Sequence, residues 1–283
     1  IMGTNKETKN NKVRDLIIIT AIYLLAFAGG FFFCYQIDNI ILKYFVFDIV
    51  ATVITFAFSV VLKNSSVYDA YWSLTPMVMS VALFIEMQAF RIWQILFLIV
   101  FNIWSIRLTL NWVGVFTDFS YEDWRYRKFR DENGPFMWFF INFTGIHMVP
   151  TLVVFGGMLP LFEIAEGKCG WISIPGMLLI LLGVAFEFFA DRQMHEFLSS
   201  PKSSSVCRVG LWNHSRHPNY LGEITVWIGT FCSMIPYAWD KWFYIVGAVS
   251  IIALFNFVSI HLPMCHSNNS RRNQFTYSRS TSI

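Results

Sequence analysis

Eight consecutive residues, Arg216-His217-Pro218-Asn219-Tyr220-Leu221-Gly222-Glu223, gather a guanidinium, an imidazole, an amide, a phenol and a carboxylate just as an apolar run begins. Pro218 suits the first turn of a helix, where an N–H has no intrahelical partner, so a helix is expected to start at His217-Pro218. Arg216 and His217 then stand where backbone N–H groups are free and the helix dipole favours negative charge, which makes a workable phosphate grip. Asn219, Tyr220 and Glu223 would look into whatever the helix packs against. A basic residue beside lipid headgroups can also simply snorkel. Snorkelling accounts for Arg216 but leaves Glu223, inside an apolar run, without a reason.

Three further groups carry ionisable residues in suggestive patterns. Glu187 and Asp191 are four apart, hence on one face of a helix. Carboxylates inside an apolar segment usually face a cavity or a partner, and here the alternative to a binding role is ion pairing with Arg107 and Arg192. Asp69 and Tyr71 form an acid–phenol combination that could protonate a substrate, or an interfacial anchor in which Asp69 caps Tyr71-Trp72. Tyr220 is a third candidate proton donor. Glu122-Asp123-Trp124-Arg125-Tyr126, followed by Arg127, Lys128 and Arg130, reads either as a solvated face drawn to lipid or as a loop in which Arg125 closes over a charged ligand. Arg271 and Arg272 in the tail could add phosphate contacts.

The elements that must position these residues are membrane helices. The 283 residues are 55% hydrophobic and 14% charged, too little charge to cover a water-soluble surface. The mean hydropathy is +0.51, and the 30 Phe and 11 Trp fit lipid-facing and interfacial positions. Eight apolar stretches approach the roughly 20 residues that a crossing helix needs: Leu16–Gln36, Tyr44–Leu62, Leu74–Phe90, Ile92–Val115, Phe136–Phe162, Trp171–Phe189, Leu221–Trp239 and Trp242–Leu262. No dyad alternation supports a barrel, so the expected fold is an all-α bundle of about seven or eight spans, a single transmembrane domain over residues 1–283. Leu16–Tyr35 lacks a small-residue cleavage site and is read as a retained first span.

With eight spans, fifteen Lys and Arg fall on the side of the termini and four on the other. That asymmetry places the termini and the polar segments 116–135, 198–220 and 263–283 in the cytosol. The net charge of +3 is too small and dispersed to suggest nucleic acid. Five scattered cysteines imply neither a disulfide framework nor a zinc site, and no histidines adopt ligand spacing. Neither a GxGxxG, nor a P-loop, nor an HExxH occurs.

Arg216-His-Pro-Asn-Tyr-x-Gly-Glu223 after Gly210-Leu-Trp212 resembles the C-terminal domain shared by the steroid 5α-reductases and sterol reductases. Asp69-Ala-Tyr-Trp72, Arg107-Leu108, Glu122-Asp-Trp-Arg-Tyr126 and Glu187-x-x-x-Asp191 extend the resemblance over residues 69–283. The shorter Arg-His-Pro-x-Tyr-x-Gly element is also similar to isoprenylcysteine and phospholipid methyltransferases. The resemblance implies a membrane oxidoreductase that uses NADPH to reduce a carbon–carbon double bond in a lipophilic steroid-, polyprenyl- or fatty-enone-like substrate. It implies that Glu187 and Asp191 hold the ribose and adenine side, that Arg216, His217, Asn219 and Tyr220 line the cofactor, and that Glu223 holds the nicotinamide carboxamide. Arg125 and Arg272 are further candidate contacts. In that family a tyrosine and a glutamate polarise the enone; near Arg107 the residue standing in the tyrosine's place is Trp104, so the proton donor stays open among Asp69, Tyr71 and Tyr220. The rival readings are an S-adenosylmethionine-dependent methyltransferase and a non-catalytic lipid-binding relative. The expected location is the endoplasmic reticulum for a eukaryotic chain or the inner membrane for a bacterial one.

Overall fold

A computed structural model describes residues 2–200 and 207–256, and the regular structure among those residues is all helical. In chain order the helices are α1 (Met2–Cys34), α2 (Ile40–Val61), α3 (Tyr71–Glu86), α4 (Ile92–Val115), α5 (Trp124–Glu132), α6 (Pro135–Ile141), α7 (Val149–Ala165), α8 (Ile174–Ser199), α9 (Pro218–Met234) and α10 (Ile245–Leu254). A 3₁₀ turn, Ser65–Tyr68, precedes α3, and a π-helical turn, Asn142–Met148, joins α6 to α7. Helix forms within each of the eight predicted stretches. Arg272 and the segment 263–283 lie outside the described residues.

Five segments are long and apolar enough to cross a bilayer: Asn10–Cys34, Ile40–Val61, Ile92–Val115, Pro135–Ala165 and Trp171–Ser199. They make this a multi-pass membrane protein. The 16 residues of α3 and the 17 of α9 rise only about 24–26 Å, short of a hydrocarbon core about 30 Å thick. Pro236, two residues after α9 ends, explains the stop, since proline cannot continue the hydrogen-bond ladder.

Local chemistry sets the boundaries. Asn39 caps α2 by accepting from Leu42 N at 3.0 Å, and Asp123 caps α5 by accepting from Arg125 N at 2.8 Å. Pro135 and Pro218 open α6 and α9.

By their contacts the described residues fall into two compact units. One takes the residues up to Thr75 and Thr109–Phe155; the other takes Pro76–Leu108 and the residues from Gly156 on. In the first, α1 and α2 pack through Tyr23, Phe27, Phe47 and Ala51, all buried, while Ile17, Leu24 and Phe32 of α1 point outward. Buried Asp48, Thr52, Thr55 and Ser59 line the inner face of α2. Apolar outside and polar inside is the distribution that lipid as solvent imposes.

In the second unit the tightest packing is between α8 and α9. A Cβ on Gly222 would come within 2.7 Å of Glu187 Cγ and of Gly183 O, and one on Gly229 within 2.7 Å of Gly176 O. The small residues therefore let the two backbones approach closely, as helices do in lipid where apolar burial gives little drive. That approach is what brings Glu187 of α8 to Glu223 of α9.

Candidate functional site

The charge-dense site of the second unit is built on α4, α8 and α9. Arg107 of α4 reaches α8 with both terminal nitrogens: Nη1 donates to Glu187 Oε2 at 2.5 Å and Nη2 pairs with Asp191 Oδ2. The helical four-residue spacing is what lets one guanidinium span both carboxylates. Side-chain exposure falls from 25% at Asp191 through 13% at Arg107 to 2% at Glu187, so the cluster runs inward from its accessible end. Arg192 points elsewhere, pairing with Glu196 at 2.9 Å.

Glu223 sits at the inner end. Trp104 Nε1 donates to its Oε2 and Trp227 Nε1 to its Oε1, each at 2.9 Å. The two indoles meet edge to face with centroids 5.0 Å apart, and both are fully buried. Trp104, the residue standing where the resembled family has its tyrosine, is thus a hydrogen-bond donor to the carboxylate that ends the Arg216 motif. The indole pairing of Glu223 was not visible in the sequence, because nothing in the spacing from Trp104 to Glu223 signals contact.

The approach to α9 is lightly held. Gly210, at φ +54°, a conformation only glycine adopts freely, starts a 3₁₀ turn over Gly210–Asn213 that rests on the end of α8. Leu211 N donates to Gln193 Oε1 and Trp212 Nε1 to Ala190 O, both at 2.9 Å. Arg216 follows, exposed and in no ion pair with a described residue. His217 stacks on Tyr220 at 4.9 Å, and Tyr220 stacks on Phe255 at 4.5 Å, so the phenol ring is held between two rings. Asn219 Oδ1 is buried with no hydrogen-bond donor among the described residues.

The predicted acids Asp69 and Tyr71 belong to the first unit and do not bond to each other. Tyr71 Oη donates to Asp48 Oδ1 at 3.0 Å, and Asp48, on α2, is 3% exposed. Thr52 Oγ1 donates to Tyr71 Oη at 3.2 Å and lies 2.8 Å from Thr151 Oγ1, which lies 2.7 Å from Tyr68 Oη. The result is a continuous buried chain of hydroxyls ending on one carboxyl. Asp48 was missed at the sequence level, although a lone acid inside the apolar run Tyr44–Leu62 was the available signal.

Asp69 instead accepts from Tyr126 Oη at 2.9 Å. This is one of five contacts by which Asn64–Asp69 seats the loop before α5. Asn64 Nδ2 donates to Phe119 O at 3.0 Å and Tyr121 O at 2.7 Å, Ser65 N to Glu122 Oε1 at 3.0 Å, and Asp123 N to Ser66 Oγ at 3.0 Å. Burial, with help from Asp123, pushes the Asp69 carboxyl up to about 7, and burial followed by the charge of Asp69 raises the Tyr126 phenol well above its usual value. Arg125 turns back onto Asp123, with Nε 2.9 Å from Oδ1, and Arg130 pairs with Glu122 at 2.6 Å.

The fold and these sites define a polytopic helical membrane protein with a buried guanidinium–carboxylate cluster. The chain belongs to the family described as "Protein of unknown function (DUF1295)", which it matches over residues 55–281. It is similar to an uncharacterized protein of Schizosaccharomyces pombe, 24% identical over 231 residues that cover 70% of this chain. The matched part spans 62% of that relative's length. No solved structure matches the chain.

Proposed function

We propose that this chain is an NADPH-dependent reductase of a carbon–carbon double bond in a lipophilic, enone-like substrate, a relative of the steroid 5α-reductases. The observation that carries the reading is the graded cluster on α4, α8 and α9: a part-exposed Asp191, a guanidinium bridging two carboxylates, and an exposed Arg216, in no ion pair with a described residue, at the start of α9. The chain's own residues fit the dinucleotide at this outer end. Arg216 would hold a phosphate beside free backbone N–H groups, Asp191 a ribose hydroxyl, and the buried Asn219 Oδ1 an N–H or O–H of the ligand. At the inner end Glu223 already accepts one hydrogen bond on each oxygen, so a carboxamide contact would add to the indole contacts rather than replace an empty space.

When bound, NADPH supplies the hydride. The protein's part is to orient the ligand, exclude water and provide a proton. For the proton we favour Tyr220, whose ring is held between His217 and Phe255 in the same unit as the cluster. Tyr71, whose hydroxyl donates to buried Asp48, and Asp69, bonded to Tyr126, are the less favoured donors. In this reading α3, α9 and α10 complete an eight-span bundle with both termini cytosolic, and the substrate enters from the lipid.

Titration calorimetry on the purified protein tests the cofactor. NADPH should bind at micromolar or tighter affinity, and Arg216→Ala should weaken it about 10- to 150-fold, the loss of one charge-assisted phosphate contact. Unchanged affinity in that variant would remove the phosphate grip, and tight S-adenosylmethionine binding instead would make the chain a methyltransferase.

A further inference from the structure

The charge count of the cluster on α4, α8 and α9 does not close. Arg107 pairs with Glu187 and Asp191, and a third carboxyl, Glu223, acts on Glu187. Glu187 and Glu223 are only 2% and 4% exposed. An ionised carboxylate in such a place must be paired or fully hydrogen-bonded. Asp191 takes one arm of Arg107 and is open to solution at its outer edge. Glu223 takes two indole N–H donors. Glu187 takes the other arm of Arg107 on Oε2, but its Oε1 is buried with no donor among the described residues, and the carboxyl of Glu223 lies close enough to act on it. Two carboxylates in contact repel, whereas a carboxylic acid and a carboxylate form a short, strong hydrogen bond. Among the described residues no group of three side chains is arranged to hold a metal ion. A proton on Glu187 would supply the missing positive charge at this point.

We propose that Glu187 is a proton-binding site: at neutral pH its Oε1 carries a hydrogen and donates it to Glu223, while its Oε2 accepts from Arg107. Both oxygens of Glu187 and of Glu223 then have a partner. Glu223 receives three donors, two indoles and one carboxyl, and beside it stands the Arg107–Asp191 pair. Asp191, one turn along α8 and a quarter exposed, shares Arg107 with Glu187 and marks the way by which the proton exchanges with solution. The assignment stands apart from the identity of the nucleotide. If the chain is a reductase, Glu187 holds a proton within the unit that binds the hydride donor, beyond the one on Tyr220.

Infrared difference spectroscopy of the full chain in detergent reads the proton directly, comparing wild type with Glu187→Gln at neutral pH in light and heavy water. A carboxylic-acid C=O band is expected in wild type, shifting in heavy water, and absent from the variant. Gln reproduces the protonated acid, with a carbonyl for Arg107 and an N–H for Glu223, so the variant should also keep its melting temperature to within about a degree. Absence of a Glu187-dependent acid band in wild type overturns the proposal. So does strong destabilisation of Glu187→Gln, because an ionised Glu187 would be the one that could not be replaced by a neutral isostere. Glu187→Asp offers a second reading in case the first variant expresses poorly: a retained, shifted acid band supports the site, and its disappearance in a folded variant counts against it.

Discussion

The two units solve the problem of polar groups inside a membrane protein in different ways. The first uses neutral partners: Tyr71, Thr52, Thr151 and Tyr68 pass hydrogen bonds along a chain that ends on one carboxyl, Asp48. The second concentrates charge, with two carboxyls on Arg107 and Glu223 fixed by two indoles. In the neutral chain Thr52, Thr151 and Tyr71 each have more than one partner, so losing one group leaves its neighbours partly satisfied. In the charged cluster one cation serves two groups, and its removal strips Asp191 of its counter-ion and Glu187 Oε2 of its donor at once. The second region should therefore be the more brittle, and the first the better place to alter chemistry without unfolding the chain.

That contrast can be broken most decisively at Arg107. Arg107→Met should destabilise the protein by about 3–5 kcal/mol, the usual result of leaving buried charge uncompensated, measured as a drop in melting temperature in detergent. Gly222→Ala should cost less, about 1–3 kcal/mol, because its Cβ would press on Glu187 Cγ and Gly183 O in a packed interface. In the first unit Thr52→Val removes one hydroxyl while Tyr71 keeps Asp48 and Thr151 keeps Tyr68 and His147 O, so about 1 kcal/mol is expected. Equal losses for Arg107→Met and Thr52→Val would erase the distinction between the two regions.

The smallest effect is one of pH. Asp69 titrates near 7 in the folded chain and near 4 when unfolded. Between those values the folded state holds a proton that the unfolded state has released. Raising the pH from about 4 to 7 therefore favours unfolding through this group, and below about 4 the penalty vanishes. Asp69→Asn should flatten the fall of melting temperature across that window; an unaltered slope would mean that Asp69 is not the group responsible.

Much of the helix pattern was legible in the sequence, because apolar runs of bilayer length have few other uses. The lengths were less so: α3 and α9 read as spans from composition, yet they are 16 and 17 residues long, since helix ends depend on caps and on Pro236 rather than on hydropathy. Within the site, the four-residue spacing of Glu187 and Asp191 puts both on one helix face, and of the two arginines the sequence offers as ion-pair partners Arg107 takes both acids while Arg192 pairs with Glu196. Trp104 and Trp227 as donors to Glu223 could not be foreseen, because that geometry depends on how closely Gly183 and Gly222 let α8 and α9 approach. The motif Glu122–Tyr126 invited a reading as a ligand loop. Its acids and phenol are engaged with Ser65 and Asp69 across a sequence gap that no local pattern reveals.

The proposed reductase transfers hydride from NADPH and uses Tyr220 to protonate what is reduced. Single-turnover oxidation of NADPH by the protein in lipid nanodiscs, with an enone lipid supplied, tests both halves when wild type is set against Tyr220→Phe. Tyr220→Phe, which keeps the ring between His217 and Phe255, should bind NADPH as wild type does, keep its melting temperature to within a few degrees, and oxidise the cofactor at least about 100-fold more slowly, the scale of a lost general acid. NADPH oxidation at the wild-type rate in Tyr220→Phe would contradict the assignment of the proton donor, and no NADPH binding by the wild-type protein would contradict the reductase itself.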